Sequence, residues 1–388
     1  MKVCFETFGC RLNKAESLQM EADYLSKGWT LAKRHADADL FVVRGCSVTA
    51  RAQADCERLI SHLRRRYPAV PIRICGCLAS RSSDARPSAS GRPASGPAPV
   101  PMRTARAYLK VQDGCAGTCT FCIVPTFRGP SRAVDFTEVL DRARRFADVG
   151  YHEIVLTGCN LTLYASQGKR LPDLVASLAE AVGPEVRLRL GSVEPGPTAR
   201  RTAEAMAAHT NVCRFLHLPV QSGANTILKA MGRPYDVSDV TETVALATRL
   251  LPGLGLGCDL MTGFPGEGDL EFVATQRLLQ NLPFTSAHVF PYSERSRTPA
   301  AEFRNVIPKP IRSKRAHALA DIAHAARLKF AKSFVGKAVA VVIEDEENGT
   351  GWTEERLRCT VLGKCRRKSL VRALVTEAKG DALSGRLL

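Results

Sequence analysis

The hydrophobic and polar positions of the first 80 residues alternate between the periods of strands and helices. Apolar runs bounded by Gly or polar residues are typical of buried strands, and the segments between them carry helical spacing. The strand-like runs are KVCFETF (2–8), ADLFVVRGC (38–46) and VPIRICGC (70–77), and the helical segments are 13–28 and 49–66. Strands separated by helices predict a parallel sheet. We therefore assign residues 1–80 to an N-terminal α/β domain of Rossmann-like class.

A second pattern repeats from residue 105 to about residue 290. Apolar strand-like runs are each followed by a polar or Gly-rich loop, and most of them by an amphipathic helix. The runs are 107–112, 152–158, 186–192, 214–220, 254–263 and 286–293. Six such units predict a partial (βα)6 TIM-like barrel over 105–333, with an active site at the carboxyl ends of its strands.

Two segments lie outside these patterns. Residues 81–104 begin with a Pro-, Ser- and Gly-rich stretch that has no apolar periodicity, which is typical of a flexible linker. Residues 334–388 contain short strand-like runs separated by Gly, Asn and charged turns. This pattern fits either a small nucleic-acid-binding β-barrel or a plain sheet that caps the larger barrel.

The charge of the chain favours a polyanionic partner. The formal net charge is +17, and basic residues cluster at Arg64–Arg66 and Arg366–Lys368, among other places. Lys and Arg contacts to phosphates supply much of nucleic-acid affinity. A basic proteome that places Arg at solvated positions would give the same excess.

The fourteen cysteines indicate metal binding or catalysis. No apolar run approaches the ~20 residues of a membrane span, and no signal peptide is recognisable. We therefore expect a cytoplasmic protein without a membrane partner, in a compartment where thiols stay reduced.

The loop DGCAGTCTFCIVPTFRG (113–129) has the most specific spacing. It follows the first predicted barrel strand and places Cys115, Cys119 and Cys122 close together without a fourth cysteine. Zinc usually takes four protein ligands, or three and a water. A 4Fe–4S cluster needs four ligands, so three thiolates leave one iron open to a cofactor.

Three more cysteines end the strands of the N-terminal domain, and each follows a glycine. They are Cys10, Cys46 and Cys77. Ligands of parallel α/β sheets bind beyond the carboxyl ends of the strands. Taken singly, each thiol would be read as structural, but together they predict a shared metal site.

The Cys-x3-Cys-x2-Cys loop at the start of a (βα)6 barrel resembles the radical S-adenosylmethionine superfamily. Further segments resemble its methylthiotransferases, in the order that this family shows. They are FGCRLNKAES, RGCSVTARA, CGCLAS, LTGCN, GSVEP, HLPVQSG, DLMTGFPGE and VFPYSERSRTPAA. The resemblance implies two 4Fe–4S clusters: one at Cys115, Cys119 and Cys122 with S-adenosylmethionine on the open iron, and an auxiliary one at Cys10, Cys46 and Cys77. It also implies a C-terminal TRAM-like RNA-binding domain over 334–388.

The resemblance extends to residues at the ends of the barrel strands, for which it implies contacts to S-adenosylmethionine. These are Thr157, Gly158, Ser192, Glu194, His217, Gln221 and Asp259, with Arg132 facing the carboxylate of the cofactor. Tight turns and core packing would account for some of the same residue types. The catalytic residue is not identified. The remaining eight cysteines are assigned structural roles.

The family has three branches that modify different substrates, and short segments distinguish them. The FGCRLN segment resembles the branch that modifies N6-threonylcarbamoyladenosine beside the tRNA anticodon. The isopentenyladenosine branch typically has GCQMN, and the ribosomal-protein aspartate branch has GCPKN. We therefore expect the tRNA anticodon stem-loop as substrate and a reductant protein as electron donor, with the sulfur donor unknown. A non-catalytic RNA-binding iron–sulfur protein is the alternative from another class, and the predicted cofactor residues argue against it.

Overall fold

A computed structural model describes residues 1–46, 50–79 and 103–388. The predicted linker over 81–104 lies outside the described residues, except for its last two positions. In the described part of the chain, no helix is long and apolar enough to cross a membrane.

The N-terminal domain is a parallel sheet of order β2-β1-β3-β4 with two helices. Its elements are β1 (Lys2–Thr7), α1 (Arg11–Ser26), β2 (Thr30–Leu31), β3 (Leu40–Gly45), α2 (Ala50–Arg66) and β4 (Ile72–Gly76). Phe41, Val43 and Leu63 are fully buried between β3 and α2. The predicted strands and helices are confirmed, and β2 is a short strand that the pattern did not indicate.

The middle of the chain forms an open barrel of six parallel strands. Its elements are β5 (Ala107–Lys110), β6 (Gln112–Asp113), α3 (Val124–Arg128), β7 (Arg132–Ala133), α4 (Phe136–Asp148), β8 (Glu153–Thr157), β9 (Ala165–Ser166), β10 (Lys169–Arg170), α5 (Leu171–Val182), β11 (Arg187–Arg189), α6 (Pro197–Ala208), β12 (Phe215–Gln221), α7 (Asn225–Ala230), α8 (Val237–Leu250), β13 (Gly255–Thr262), α9 (Asp269–Asn281), β14 (Ser286–Pro291) and α10 (Lys309–Lys332). The strand orders are β11-β8-β5 and β12-β13-β14. Single parallel bridges from Leu188 to Val212 and from Ser192 to His217 join the two halves. The predicted (βα)6 barrel is confirmed.

The local sequence explains why the barrel helix α4 begins at Phe136. Asp135 precedes α4, and its carboxylate accepts hydrogen bonds from the backbone N–H groups of Thr137 and Glu138. Val139, Ala143 and Phe146 then place one apolar face of α4 in the barrel core. Burying a large apolar side chain of this kind contributes about 2 kcal/mol.

The C-terminal part of the chain is a closed five-stranded barrel of order β15-β16-β17-β19-β18. Its strands are β15 (Ala338–Asp345), β16 (Thr350–Thr353), β17 (Arg358–Leu362), β18 (Leu370–Lys379) and β19 (Ala382–Leu387). The core contains Val341, Ile343, Cys359 and Val375. Of the two sequence-based interpretations, the small barrel is therefore correct and the sheet cap is not.

A buried ion-pair cluster fixes this small barrel to the floor of the larger one. Glu153, at the start of β8, binds Arg187 at 2.6 Å and Arg189 at 2.8 Å. The two arginines also donate to backbone carbonyls of the C-terminal barrel, at Ala340, Trp352, Thr353 and Glu354. Burial alone would raise the pKa of Glu153, but Arg189 and Arg187 hold that pKa well below its usual range.

Candidate active site

The loop with the three closely spaced cysteines lies at the carboxyl end of β5. The backbone N–H of Gly117 lies 3.3 Å from the Sγ of Cys115. A Cβ atom at Gly117 would lie 3.2 Å from that sulfur and 3.7 Å from the Sγ of Cys119. Both sulfurs therefore lie close to a residue without a side chain, and a larger residue at position 117 would crowd the sulfur of Cys115.

Backbone contacts fix the conformation of this loop. The N–H of Thr120 donates to the carbonyl of Met231, and the N–H of Cys115 donates to that of Gly129. Gly114 has a φ of 66°, and a Cβ there would lie 2.0 Å from the carbonyl oxygen of Pro130. Only glycine satisfies both the backbone conformation and this close approach.

The N-terminal cysteines lie together at one edge of their sheet. Gly45 of β3 pairs with Gly76 of β4, so Cys46 and Cys77 follow paired positions. Cys10 precedes α1. A Cβ at Gly9, which has a φ of 93°, would lie 2.7 Å from the Sγ of Cys46. The side chain of Cys46 thus packs against the residue that precedes Cys10.

Arg128 connects the segment after Cys122 to the N-terminal cysteines and was missed by the sequence analysis. It ends α3, six residues after Cys122, and its Nε donates to the Sγ of Cys77 at 3.4 Å. Its Nη1 binds Asp113 at 2.9 Å and Glu16 at 3.1 Å. Burial would lower the pKa of Arg128, but Glu16 and the neighbouring Cys77 raise it, so the guanidinium stays charged.

Arg233 makes a similar contact on the other side of the loop and was also missed. Its Nη1 donates to the Sγ of Cys119 at 3.0 Å, and its Nη2 binds Glu194 at 2.7 Å. Its Nε donates to the hydroxyl of Tyr235 at 2.7 Å. Glu194, one of the residues predicted to contact the cofactor, is therefore bound by an arginine that also contacts Cys119.

The other predicted strand-end residues lie at this carboxyl end, or mouth, of the barrel. Thr157 is buried at the end of β8, and Gly158 packs on Gln112. Ser192 is exposed. Gln221, at the end of β12, has a left-handed φ of 69°, and its buried Oε1 has no hydrogen-bond partner. A strained residue with an orphaned acceptor is typical of a binding site.

Arg132 is exposed in β7, opposite Asp113 of β6. Its Nη2 donates to the carbonyl of Arg128 at 3.0 Å. The structure therefore places Arg132 at the rim of the mouth, beside the segment that follows the cysteine loop.

His217 and Asp259 are in contact deeper in the barrel. The Nε2 of His217 lies 3.0 Å from Asp259, and the Nδ1 of His288 lies 3.2 Å from the same carboxylate oxygen. Burial lowers the pKa of His217, while His217 and His288 hold that of Asp259 below its usual range against the effect of burial. The Nδ1 of His217 is buried without a partner. His288 was not predicted, because its role depends on the pairing of β13 with β14.

Two groups of side chains in the described residues have ligand atoms close enough to hold a metal ion. They are Cys4, Glu6 and His35, and His217, Asp259 and His288. In the first group, Glu6 is bound to His35 at 2.7 Å. Neither group contains a cysteine of the two predicted cluster sites.

Comparisons with known proteins define the class. Residues 109–279 match the radical SAM superfamily, and residues 2–91 match the Uncharacterized protein family UPF0004. The solved structure of the radical S-adenosylmethionine methyltransferase TsrM from Kitasatospora setae covers 77% of this chain and 76% of that chain, with a TM-score of 0.57 and 15% identity. That likeness supports the fold of the barrel alone.

Curated relatives define the family. The threonylcarbamoyladenosine tRNA methylthiotransferase MtaB of Thermotoga maritima is 30% identical over 88% of this chain and 86% of its own length. The protein of the same name from Bacillus subtilis is 28% identical over 93% and 90%. The tRNA-2-methylthio-N(6)-dimethylallyladenosine synthase of Chlorobium chlorochromatii is 29% identical over 88% and 86%. The chain therefore belongs to the tRNA methylthiotransferase family of radical SAM enzymes, which use 4Fe–4S clusters and S-adenosylmethionine.

The side chains at the two cysteine sites fit 4Fe–4S clusters and S-adenosylmethionine. Each site offers three thiols, as a 4Fe–4S cluster with one open iron requires. The side-chain-free Gly117 provides space beside Cys115, and the orphaned Gln221 provides an acceptor for the amino or hydroxyl group of a cofactor. Arg128 and Arg233 supply positive charge next to Cys77 and Cys119.

Proposed function

We propose that this protein adds a methylthio group to carbon 2 of N6-threonylcarbamoyladenosine beside the anticodon of tRNA. The observation that carries the reaction is the contact of Arg128 with Cys77, because it brings the two three-cysteine sets to one end of the barrel. Inserting sulfur at an inert C–H position needs a radical source and a sulfur source facing the same carbon.

Each part of the chain has a role in this proposal. Cys115, Cys119 and Cys122 hold one cluster with S-adenosylmethionine, which together supply the radical chemistry. Cys10, Cys46 and Cys77 hold the auxiliary cluster. The strand-end residues around Gln221 and Glu194 bind and orient the cofactor. The barrel wall excludes water from the reacting centre.

Each of the three folded parts of the chain has its own role in this proposal. Residues 1–80 form the auxiliary-cluster domain, 105–333 the radical barrel, and 334–388 a TRAM-like RNA-binding domain. The C-terminal barrel carries the basic segment Arg366–Lys368 near the carbonyl of Arg103, to which Arg367 donates at 2.7 Å. A net charge of +17 supports binding to the phosphates of an anticodon stem-loop.

We choose this substrate because the segments FGCRLN, CSVTARA and VFPYSERSRTPAA resemble the branch that modifies N6-threonylcarbamoyladenosine. The relatives named above act, by their names, on two different N6-substituted adenosines at nearly the same identity to this chain. Dimethylallyladenosine, the isopentenyladenosine of the sequence analysis, is therefore the alternative substrate.

The substrate is tested by nucleoside mass spectrometry of tRNA from a deletion strain. We expect 2-methylthio-N6-threonylcarbamoyladenosine to disappear and to return with the wild-type gene. Unchanged levels of this nucleoside, with loss of the methylthiolated dimethylallyladenosine, would support the alternative.

The cluster assignment is tested by substituting one set of cysteines at a time in anaerobically reconstituted protein. Cys119→Ala should abolish formation of 5′-deoxyadenosine from S-adenosylmethionine. Cys46→Ala should lower the iron content by one cluster and abolish sulfur insertion, but retain 5′-deoxyadenosine. Cys365→Ala, in the C-terminal barrel, is the matched control and should change neither. Full methylthiolation by Cys46→Ala would contradict the auxiliary site.

A further inference from the structure

Three side chains of the N-terminal domain bring together a sulfur, an oxygen and a nitrogen. They are Cys4 and Glu6 of β1 and His35 of the connection between β2 and β3, and their ligand atoms all lie within 4.8 Å of one another. Cys4 and Glu6 are two residues apart in a strand, so their side chains point to the same face of the sheet. None of the three is assigned to a cluster.

The backbone holds His35 against these two side chains. His35 begins a single turn of 3₁₀ helix. Before this turn, the N–H of Ala32 donates to the carbonyl of Val3 at 2.9 Å. After it, the N–H of Asp39 donates to the carbonyl of Lys2 at 2.8 Å. The turn is therefore fixed to β1 at both ends.

Aromatic packing sets the direction of the His35 ring. Phe41, which pairs with Cys4 in the sheet, meets the ring edge-on with centroids 5.6 Å apart, and Tyr67 does so at 6.4 Å. The Nε2 of His35 then lies 2.7 Å from Glu6. An imidazole that is already held on two sides loses little rotational freedom when it binds an ion.

The thiol of Cys4 lies at the buried side of this group. Cys4 is 8% exposed, and in the part of the chain that the structure describes its thiol forms no hydrogen bond. The side chains of His35 and Glu6 are 31% and 34% exposed. An ion held by the three groups would therefore keep one coordination position open to water.

The mixture of donors favours zinc. Calcium and magnesium take oxygen ligands, whereas zinc binds sulfur, nitrogen and oxygen and accepts water as the fourth ligand of a three-residue site. The Cys4 thiolate and the Glu6 carboxylate would together balance its two charges. Tetrahedral zinc places nitrogen and oxygen ligands about 3.3 Å apart, so His35 and Glu6 need to separate by only about 0.6 Å.

We propose that Cys4, Glu6 and His35 bind a zinc ion that is separate from the two clusters. The ion joins β1 to the connection between β2 and β3 and stabilises the N-terminal domain, whose first strand leads to Cys10. The site does not depend on which nucleoside the protein modifies.

Zinc binding is measured on the full-length protein after anaerobic reconstitution of its clusters. One equivalent of zinc chloride is added, unbound metal is removed by gel filtration, and zinc and iron are quantified by mass spectrometry. We expect one zinc ion per chain without loss of iron. X-ray absorption at the zinc edge, to which iron does not contribute, should show one sulfur at about 2.3 Å and nitrogen or oxygen ligands at about 2.0–2.2 Å.

Two substitutions remove one ligand each. Cys4→Ala removes the sulfur, and His35→Gln keeps a hydrogen-bond donor for Glu6 but removes the imidazole. Each should weaken zinc binding by more than about tenfold, since loss of a group that only supports a ligand already costs 10- to 100-fold. His62→Gln, which removes an exposed imidazole of α2, is the matched control and should bind zinc as the wild type does.

The stabilising role is measured with Trp29, which directly precedes β2. On a Trp352→Phe background, added zinc should raise the urea midpoint reported by Trp29 fluorescence. The midpoint should rise equally with His62→Gln and should not rise with His35→Gln.

Other zinc environments would overturn the proposal. Three sulfur ligands with loss of iron would place the ion at a set of cluster cysteines. A shell without sulfur would place it at His217, Asp259 and His288. Full zinc binding by both Cys4→Ala and His35→Gln, or no zinc bound by the wild type, would equally overturn it.

Discussion

Substituting Glu153 by Gln tests whether its ion-pair cluster fixes the C-terminal barrel to the radical barrel. The Glu153 side chain is fully buried, and those of Arg187 and Arg189 are 4% and 1% exposed. Glutamine keeps the shape of the side chain and one acceptor oxygen but removes the negative charge, so the buried guanidiniums of Arg187 and Arg189 lose the carboxylate that pairs with them. Breaking a buried pair in this way costs about 3–5 kcal/mol.

The two tryptophans of the chain provide a regional assay. Trp352 lies in β16, and its Nε1 donates to Glu344, whereas Trp29 lies in the N-terminal domain. In urea unfolding at neutral pH, Glu153→Gln on a Trp29→Phe background should lower the unfolding free energy followed by Trp352 by about 3–5 kcal/mol. Glu138→Gln, which breaks a half-exposed pair with Arg142, is the matched control and should cost no more than about 0.5 kcal/mol.

The difference in unfolding free energy between wild type and Glu153→Gln should depend on pH, because the pKa of Glu153 is lowered in the folded protein. A carboxyl group with a lowered folded-state pKa contributes stability above its unfolded-state pKa and loses it as pH falls toward the folded value. The gap between wild type and Glu153→Gln should therefore be constant above about pH 4.3 and shrink below it. A variant within about 1 kcal/mol of wild type at neutral pH would refute the assigned role of the ion pairs.

Two further substitutions test the contacts around the cysteine sets. Arg128→Met removes donors to Glu16, Asp113 and Cys77 and should weaken the N-terminal domain by about 2–4 kcal/mol, since Lys110 still binds both carboxylates. The urea midpoint reported by Trp29 fluorescence should then fall, while the midpoint reported by Trp352 stays unchanged. An equal fall of both midpoints would contradict this prediction. Gly114→Ala should clash with Pro130 and abolish iron loading at Cys115, Cys119 and Cys122. Gly150→Ala, also at positive φ but facing open space, should cost about 1 kcal/mol and keep the iron; equal iron in both variants would argue against the clash.

The strands, and the positions of the two cysteine sets near strand ends, could be predicted because their signals are local. A strand shows its periodicity within seven residues, and a cysteine directly after it must lie at the carboxyl edge of the sheet. Arg128 and Arg233 could not be predicted, because their cysteine partners lie 51 and 114 residues away. Their geometry depends on how two domains, or a loop and a helix, pack together.

The same limit applies inside the barrel. His217 and Asp259 were predicted as cofactor contacts; in the structure their side chains contact each other, and Asp259 also contacts His288. Strand register sets this arrangement, since Asp259 lies opposite His288 in the pairing of β13 with β14. Periodicity predicts that a strand exists but leaves its register open by several residues, so mutual contacts of this kind follow only from the fold.

The ion-pair cluster also holds the turn between β16 and β17 of the C-terminal barrel. Domain interfaces within a chain are mobile unless they are large or strongly bonded. Here two arginines that are paired with Glu153 donate to four carbonyls of the C-terminal barrel, and two of those carbonyls belong to Thr353 and Glu354. A domain that only tethered RNA would not need this rigidity. A domain that must also hold the proposed RNA substrate in register with the cysteine loop of the radical barrel does, because small displacements of a positioning group reduce rates steeply.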